Sequence, residues 1–151
     1  MITPTERSMD LIIKPTEMCN FACTFCSSTS IAANHKDKMD HEYIFNFLRR
    51  YPNTRTIIVN GGDPLMMSPK WYWKIIEFIE ERKLPTTIGF TTNLWGFYQN
   101  PELWTELFNH PRMGVGTSFN YGDGRRITLE RVYTVDIFWK VSDKFLEYCG
   151  Y

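Results

Sequence analysis

Three cysteines, Cys19, Cys23 and Cys26, stand at C-x3-C-x2-C spacing. Thiolates this close in sequence can converge on one metal centre, but they number only three. Three ligands on a four-iron cluster leave one iron open to an outside ligand. The plainer alternative is a zinc site that recruits Cys149 or a histidine as its fourth ligand, although zinc ribbons usually pair two C-x2-C knuckles. A second stretch, Gly61-Gly62-Asp63-Pro64, follows the β-branched run Thr56-Ile57-Ile58-Val59. Glycines allow a backbone to approach a ligand closely. Taken alone, the same four residues are also an ordinary turn.

The elements that must position these residues alternate along the chain. Leu11 to Thr16 reads as a buried strand with Pro15 near its end, where a lost donor is tolerable. Residues 17–38 form a long loop that carries the cysteines and the polar stretch Asn34 to Lys38. Asp40 caps a helix from about His41 to Tyr51, with Ile44, Phe45, Phe47 and Leu48 at helical spacing. Thr56 to Val59 has the composition of a buried parallel strand. Ser68-Pro69 opens a helix to about Lys83 that sets Tyr72, Ile75, Ile76 and Ile79 on one face. Thr86 to Thr92 is the third strand, Asn100-Pro101 opens a short helix, and Met113 to Phe119 is the fourth strand. A glycine-containing loop, Tyr121 to Arg126, precedes a last helix from about Val135 to Tyr148, with Thr134 as cap and Gly150 just past its end. This alternation predicts an α/β fold, a parallel sheet with helical crossovers.

At 151 residues the expectation is one domain, 1–151, with a substantial core. Seventeen Lys and Arg balance seventeen Asp and Glu, so no bulk field favours nucleic acid or an anionic membrane. No apolar run reaches the ~18 residues that span a bilayer, and Met1 to Arg7 lacks the pattern of a secretory signal. The chain therefore reads as cytoplasmic, where clustered cysteines bind metal or do redox chemistry more often than they form disulfides. Cys149 reads as a small buried apolar residue of the last helix. His35, His41 and His110 are lone histidines with structural or solvent-exposed roles. Trp71, Trp73, Trp95, Phe97 and Tyr98 fit either a substrate mouth or a packed exterior.

The cysteine spacing, with Phe25 directly before the third cysteine, resembles the signature of radical S-adenosylmethionine (SAM) enzymes. Val59-Asn60-Gly61-Gly62-Asp63-Pro64 resembles the glycine-rich SAM motif after that family's second strand, with Asp63 where Glu is frequent. The resemblance implies a partial (β/α)6 barrel, covered here through its fourth unit and apparently truncated there. It implies that Cys19, Cys23 and Cys26 ligate a [4Fe–4S] cluster whose fourth iron takes the amine and carboxylate of SAM. Reduction would then cleave the sulfonium to a 5′-deoxyadenosyl radical that abstracts hydrogen from substrate. By the same resemblance Phe25 lies near the adenine, and strand-end carbonyls of the glycine motif accept from the SAM ammonium. Asp63 steadies that loop or pairs with the ammonium. Thr91, Thr92 and Asn93 face SAM, while Thr117, Ser118 and Asn120 are candidates for the ribose hydroxyls. Arg125 or Arg126 neutralises the carboxylate.

The opening Lys14-Pro15-Thr16-Glu17-Met18-Cys19-Asn20 looks like members that modify peptide or protein side chains. The resemblance also implies an electron donor such as flavodoxin or ferredoxin. The short length keeps a glycyl-radical activase open, as it does a minimal variant, a fragment of a longer protein, or a zinc-binding or structural-cluster module without catalysis. An unclosed sheet edge after strand four would need a partner subunit or further chain to cover it.

Overall fold

The computed structural model describes residues 6, 8–26 and 37–150. Four strands, β1 (Asp10–Ile13), β2 (Thr56–Val59), β3 (Thr87–Thr91) and β4 (Met113–Gly116), form one parallel sheet in the order β1-β2-β3-β4. Among the described residues five α-helices accompany them: α1 (His41–Arg50), α2 (Pro69–Glu81), α3 (Trp95–Gln99), α4 (Pro101–Phe108) and α5 (Val135–Cys149). The α/β fold read from the alternation of strands and helices is the fold observed.

Parallel register places Leu11, Ile57, Ile88 and Met113 in one row, and Ile13, Val59, Phe90 and Val115 in another. Both rows share a face, because residues two apart on a strand point the same way. Ile44 and Leu48 of α1, Tyr72, Ile75, Ile76 and Ile79 of α2, and Trp104, Leu107 and Phe108 of α4 join these rows in one core. α5 packs on α3 and α4 through Val141, Phe145 and Cys149 rather than on the sheet. The opposite face carries Ile12, Ile58, Gly89 and Gly114, and Ile12 is 62% exposed. The expectation of buried strands therefore holds for one face of β1 and not for the other. With the core on one side of the sheet, only one face of β1 and β2 is dry.

The caps explain most helix starts. The Asp40 carboxylate accepts from the Glu42 N–H at 3.0 Å, and Thr134 Oγ1 accepts from the Ile137 N–H at 3.3 Å. Ser68 precedes α2 without a side-chain cap bond, so the proline at its first turn carries that start. Three expected strands are shorter than read, β3 by one residue at each end. β1 stops at Ile13 because Thr16 instead bridges Lys38 in the antiparallel sense, which closes the base of the cysteine loop. β4 stops at Gly116, which leaves Thr117, Ser118 and Asn120 on a loop.

α3 has no counterpart in the sequence reading. Its start is a local turn. Leu94 adopts a left-handed φ of 60°, the Leu94 N–H donates to Thr92 Oγ1, and the Trp95 N–H donates to Asn93 Oδ1. Trp95 and Phe97 thereby enter the core and do not line a mouth. Among the described residues no helix is long and apolar enough to cross a membrane.

Candidate functional site

The site lies where the carboxyl ends of the strands meet the cysteine loop. Two segments grip that loop. On one side the Asn60, Gly62 and Asp63 N–H groups donate to the carbonyls of Ile13, Thr16 and Met18 at 2.9, 3.1 and 2.8 Å. This explains both glycines. Gly61 has φ +119°, and a Cβ on Gly62 would stand 1.9 Å from the Met18 carbonyl oxygen. Glycine is thus required here by close approach to the chain's own backbone, and Gly62 also lines the cavity beside the cysteines.

On the other side the Thr24 N–H donates to the Gly124 carbonyl and the Ala22 N–H to the Arg126 carbonyl, both at 2.8 Å. The Tyr133 N–H donates to the Arg125 carbonyl at 2.8 Å, and Arg126 bridges Val132, so this strap is itself a small hairpin.

Between the grips lies a cavity of about 180 Å³. Cys19, Cys23 and Cys26 line it together with Phe21, Phe25, Gly62, Asp63, Thr91, Thr92, Asn93, Ser118, Asn120 and Arg125. Cys19 and Cys23 are half-buried and Cys26 is exposed. Burial pushes the Cys19 thiol up to about 11, against the opposing effect of the Phe21 N–H that donates to its sulfur. A bound metal would reverse that balance, since a coordinating thiol is deprotonated outright.

Asp63 organises the deep wall. It is 3% exposed, and its carboxylate accepts from Leu65 N–H (3.0 Å), Thr92 Oγ1 (2.8 Å) and Asn93 N–H (2.9 Å). Burial raises its pKa, while the three donors and the nearby Arg125 oppose the rise. Of the two roles expected of Asp63, loop support is the one its partners occupy. Arg125 is also buried. Its guanidinium lies 5.1 Å from the Tyr133 ring and 5.7 Å from the Phe21 ring, and it donates to the Ser118 carbonyl.

Not every expected site residue reaches the cavity. Gly61 and Pro64 lie behind the lining, and the Pro64 carbonyl accepts from the Tyr72 hydroxyl at 2.6 Å. Thr117 is absent from the lining, and Arg126 is occupied by the Leu129 carbonyl (2.8 Å) and Asp123 (3.6 Å). Phe21 and Asn20 were missed. Phe21 packs 4.9 Å from Tyr133 and 6.3 Å from Trp95, and its only sequence signal is its position inside the cysteine spacing.

The donor set fits an iron–sulfur cluster: the thiols of Cys19, Cys23 and Cys26 face one cavity, and a cluster takes one thiolate per iron. Of the fourth ligands expected for zinc, the three that lie among the described residues, Cys149, His41 and His110, do not line the cavity. Cys149 lies in a separate hollow with Phe108, His110 and Met113, and burial raises its thiol pKa. His41 Nε2 is engaged with the Trp71 carbonyl (2.8 Å), and His110 Nδ1 accepts from the Arg112 N–H (3.1 Å). His35 lies outside the described residues.

The Radical SAM superfamily matches residues 13–149, so the chain belongs to that family. Among curated proteins, L-lysine 2,3-aminomutase of Clostridium subterminale is 30% identical over 81 residues, which are 51% of this chain and 20% of that protein. Among solved structures, native anSMEcpe with bound AdoMet and Cp18Cys peptide superposes with a TM-score of 0.72 at 19% identity. A histidine-tagged anSMEcpe with bound AdoMet gives 0.74 at 20% identity. Each alignment covers 94% of this chain and 41% of the other, so the chain spans well under half the length of these relatives.

Proposed function

We propose that this chain is the core of a radical SAM enzyme that takes a hydrogen atom from a peptide or protein side chain. One observation carries the reading: the three cysteines, the glycine loop, the end of β3 and Arg125 all open on a single cavity. Membership of the superfamily supports the chemistry, and the fold shared with a structure that holds AdoMet and a peptide supports the substrate class.

When bound, the cluster and AdoMet supply a carbon radical by reductive cleavage of the sulfonium. The protein's own part is placement. Cys19, Cys23 and Cys26 hold three irons as thiolates. Arg125 offers a fixed positive charge to the carboxylate of AdoMet, and Ser118 and Asn120 offer polar groups to its ribose. Phe25 covers the adenine. Asp63, Thr92 and Asn93 keep the deep wall in shape, so little reorganisation accompanies binding.

The electron comes from a donor such as flavodoxin or ferredoxin. A partner subunit or further chain covers the outer edge of β4, which pairs with no strand among the described residues. A stable monomer of these 151 residues alone would refute that covering.

Electron paramagnetic resonance of the anaerobically reconstituted, reduced protein tests the enzyme reading. A four-iron signal that changes on adding AdoMet is the expected result. A signal indifferent to AdoMet, or bound zinc with no cluster, would overturn it.

A further inference from the structure

Asn93 stands where the family resemblance places a contact to AdoMet, but three of its polar atoms are already engaged within the protein. Its backbone N–H donates to Asp63 Oδ2 (2.9 Å), its Oδ1 accepts from the Trp95 N–H (2.9 Å), and its Nδ2 donates to Asn20 Oδ1 (2.8 Å). The last bond spans 73 residues and ends on the neighbour of Cys19. Asn93 is 6% exposed, and the two bonds that orient its amide are short and buried. An amide held at both its backbone and its side-chain oxygen has one direction left for its NH2 group. That direction is the cysteine loop.

The geometry points to Asn93 as a positioning residue. We infer that the Asn93–Asn20 bond ties the end of β3 to the cysteine loop and sets where Cys19 presents its sulfur. The loop has backbone grips on either side of Cys19, at Met18 from the glycine loop and at Ala22 from the strap. Asn20 lies between those grips. The Asn93–Asn20 bond therefore restrains the residues the grips leave free, and rigid elements hold a site more accurately than loops do.

This inference rests on the cluster reading only for its iron readout. The test compares Asn20→Ala, Asn93→Ala, the double variant and Asn20→Asp, which keeps the acceptor oxygen. The first readout is iron release to a chelator from reconstituted protein without AdoMet. Each alanine variant is expected to release iron about five- to tenfold faster, the worth of one partly buried hydrogen bond. The double variant should be no faster than Asn93→Ala alone, because both single variants remove the Asn93–Asn20 bond and only Asn93→Ala also removes the acceptor of the Trp95 N–H. Asn20→Asp should stay near the wild type.

Additive effects, or an Asn20→Ala variant that releases iron like the wild type, would overturn the tie. Asn93→Ala that weakens AdoMet binding and leaves iron release unchanged would also overturn it, in favour of a ligand contact. The second readout is alkylation of Cys19 in the metal-free protein, followed by mass spectrometry. If the wild type assembles no cluster, the functional reading fails, and the alkylation readout still decides the tie. Acceleration in both alanine variants that does not add in the double variant supports it, and unchanged rates refute it.

Discussion

The two walls of the cavity are built on different physics. The deep wall, Asp63 with Thr92 and Asn93, is 3–6% exposed, and every carboxylate oxygen of Asp63 has a donor. The outer wall, Phe25, Cys26, Ser118 and Asn120, lies at the surface, and Phe25 is 57% exposed. The first wall is fixed by folding, since a buried polar group left unpaired is costly. The second has little packing to hold it, and a ligand would complete it. The difference teaches which residues serve stability and which serve binding alone, and substitutions can break it or sharpen it.

Asp63→Ala should have the largest effect. It strands the Thr92 hydroxyl and two backbone N–H groups in a dry site, at a cost of about 3 kcal/mol in unfolding free energy. Urea denaturation measures it, and a loss below about 1 kcal/mol would mean that the deep wall is not held by its carboxylate.

Gly62→Ala comes next. Its Cβ would stand 1.9 Å from the Met18 carbonyl oxygen, so backbone must move, at about 2 kcal/mol. The reconstituted protein should also hold less iron. Gly89→Ala on β3 is the control. Its Cβ meets nothing nearer than Thr56 Cγ2 at 3.8 Å, and stability should stay within about 0.5 kcal/mol.

The smallest effect on stability belongs to Phe25→Ala, again within about 0.5 kcal/mol. AdoMet binding in equilibrium dialysis should nevertheless weaken about tenfold, as expected for loss of an aromatic stacking partner. Equal losses of stability and binding for this variant would erase the distinction between the walls.

Much of this was legible in the residues. Periodicity located α1, α2 and α5 because their buried stripes recur at the helical repeat, and β-branched runs located β2 and β3. α3 escaped, because five residues are too few for a period to show. Its start depends on Thr92 and Asn93 side chains turned back on their own backbone. Arg125 and Arg126 could not be told apart by position. The strap settles it: their carbonyls accept from opposite sides, Tyr133 on one and Ala22 on the other. Arg125 is thereby turned toward Phe21 and Tyr133 and Arg126 toward Asp123.

The sequence by itself determined the alternation of strands and helices, the three thiols and the family, because these depend on spacing along the chain. Only the tertiary structure decided which backbone the glycines of the second motif pack against and which polar residues support the site. Gly62 meets Met18, Asp63 meets Thr92 and Asn93, and Asn93 meets Asn20, across separations of 29 to 73 residues for the three side-chain bonds. Such contacts follow from parallel register and from how the loops at the strand ends fold back, and no local pattern of residues encodes them.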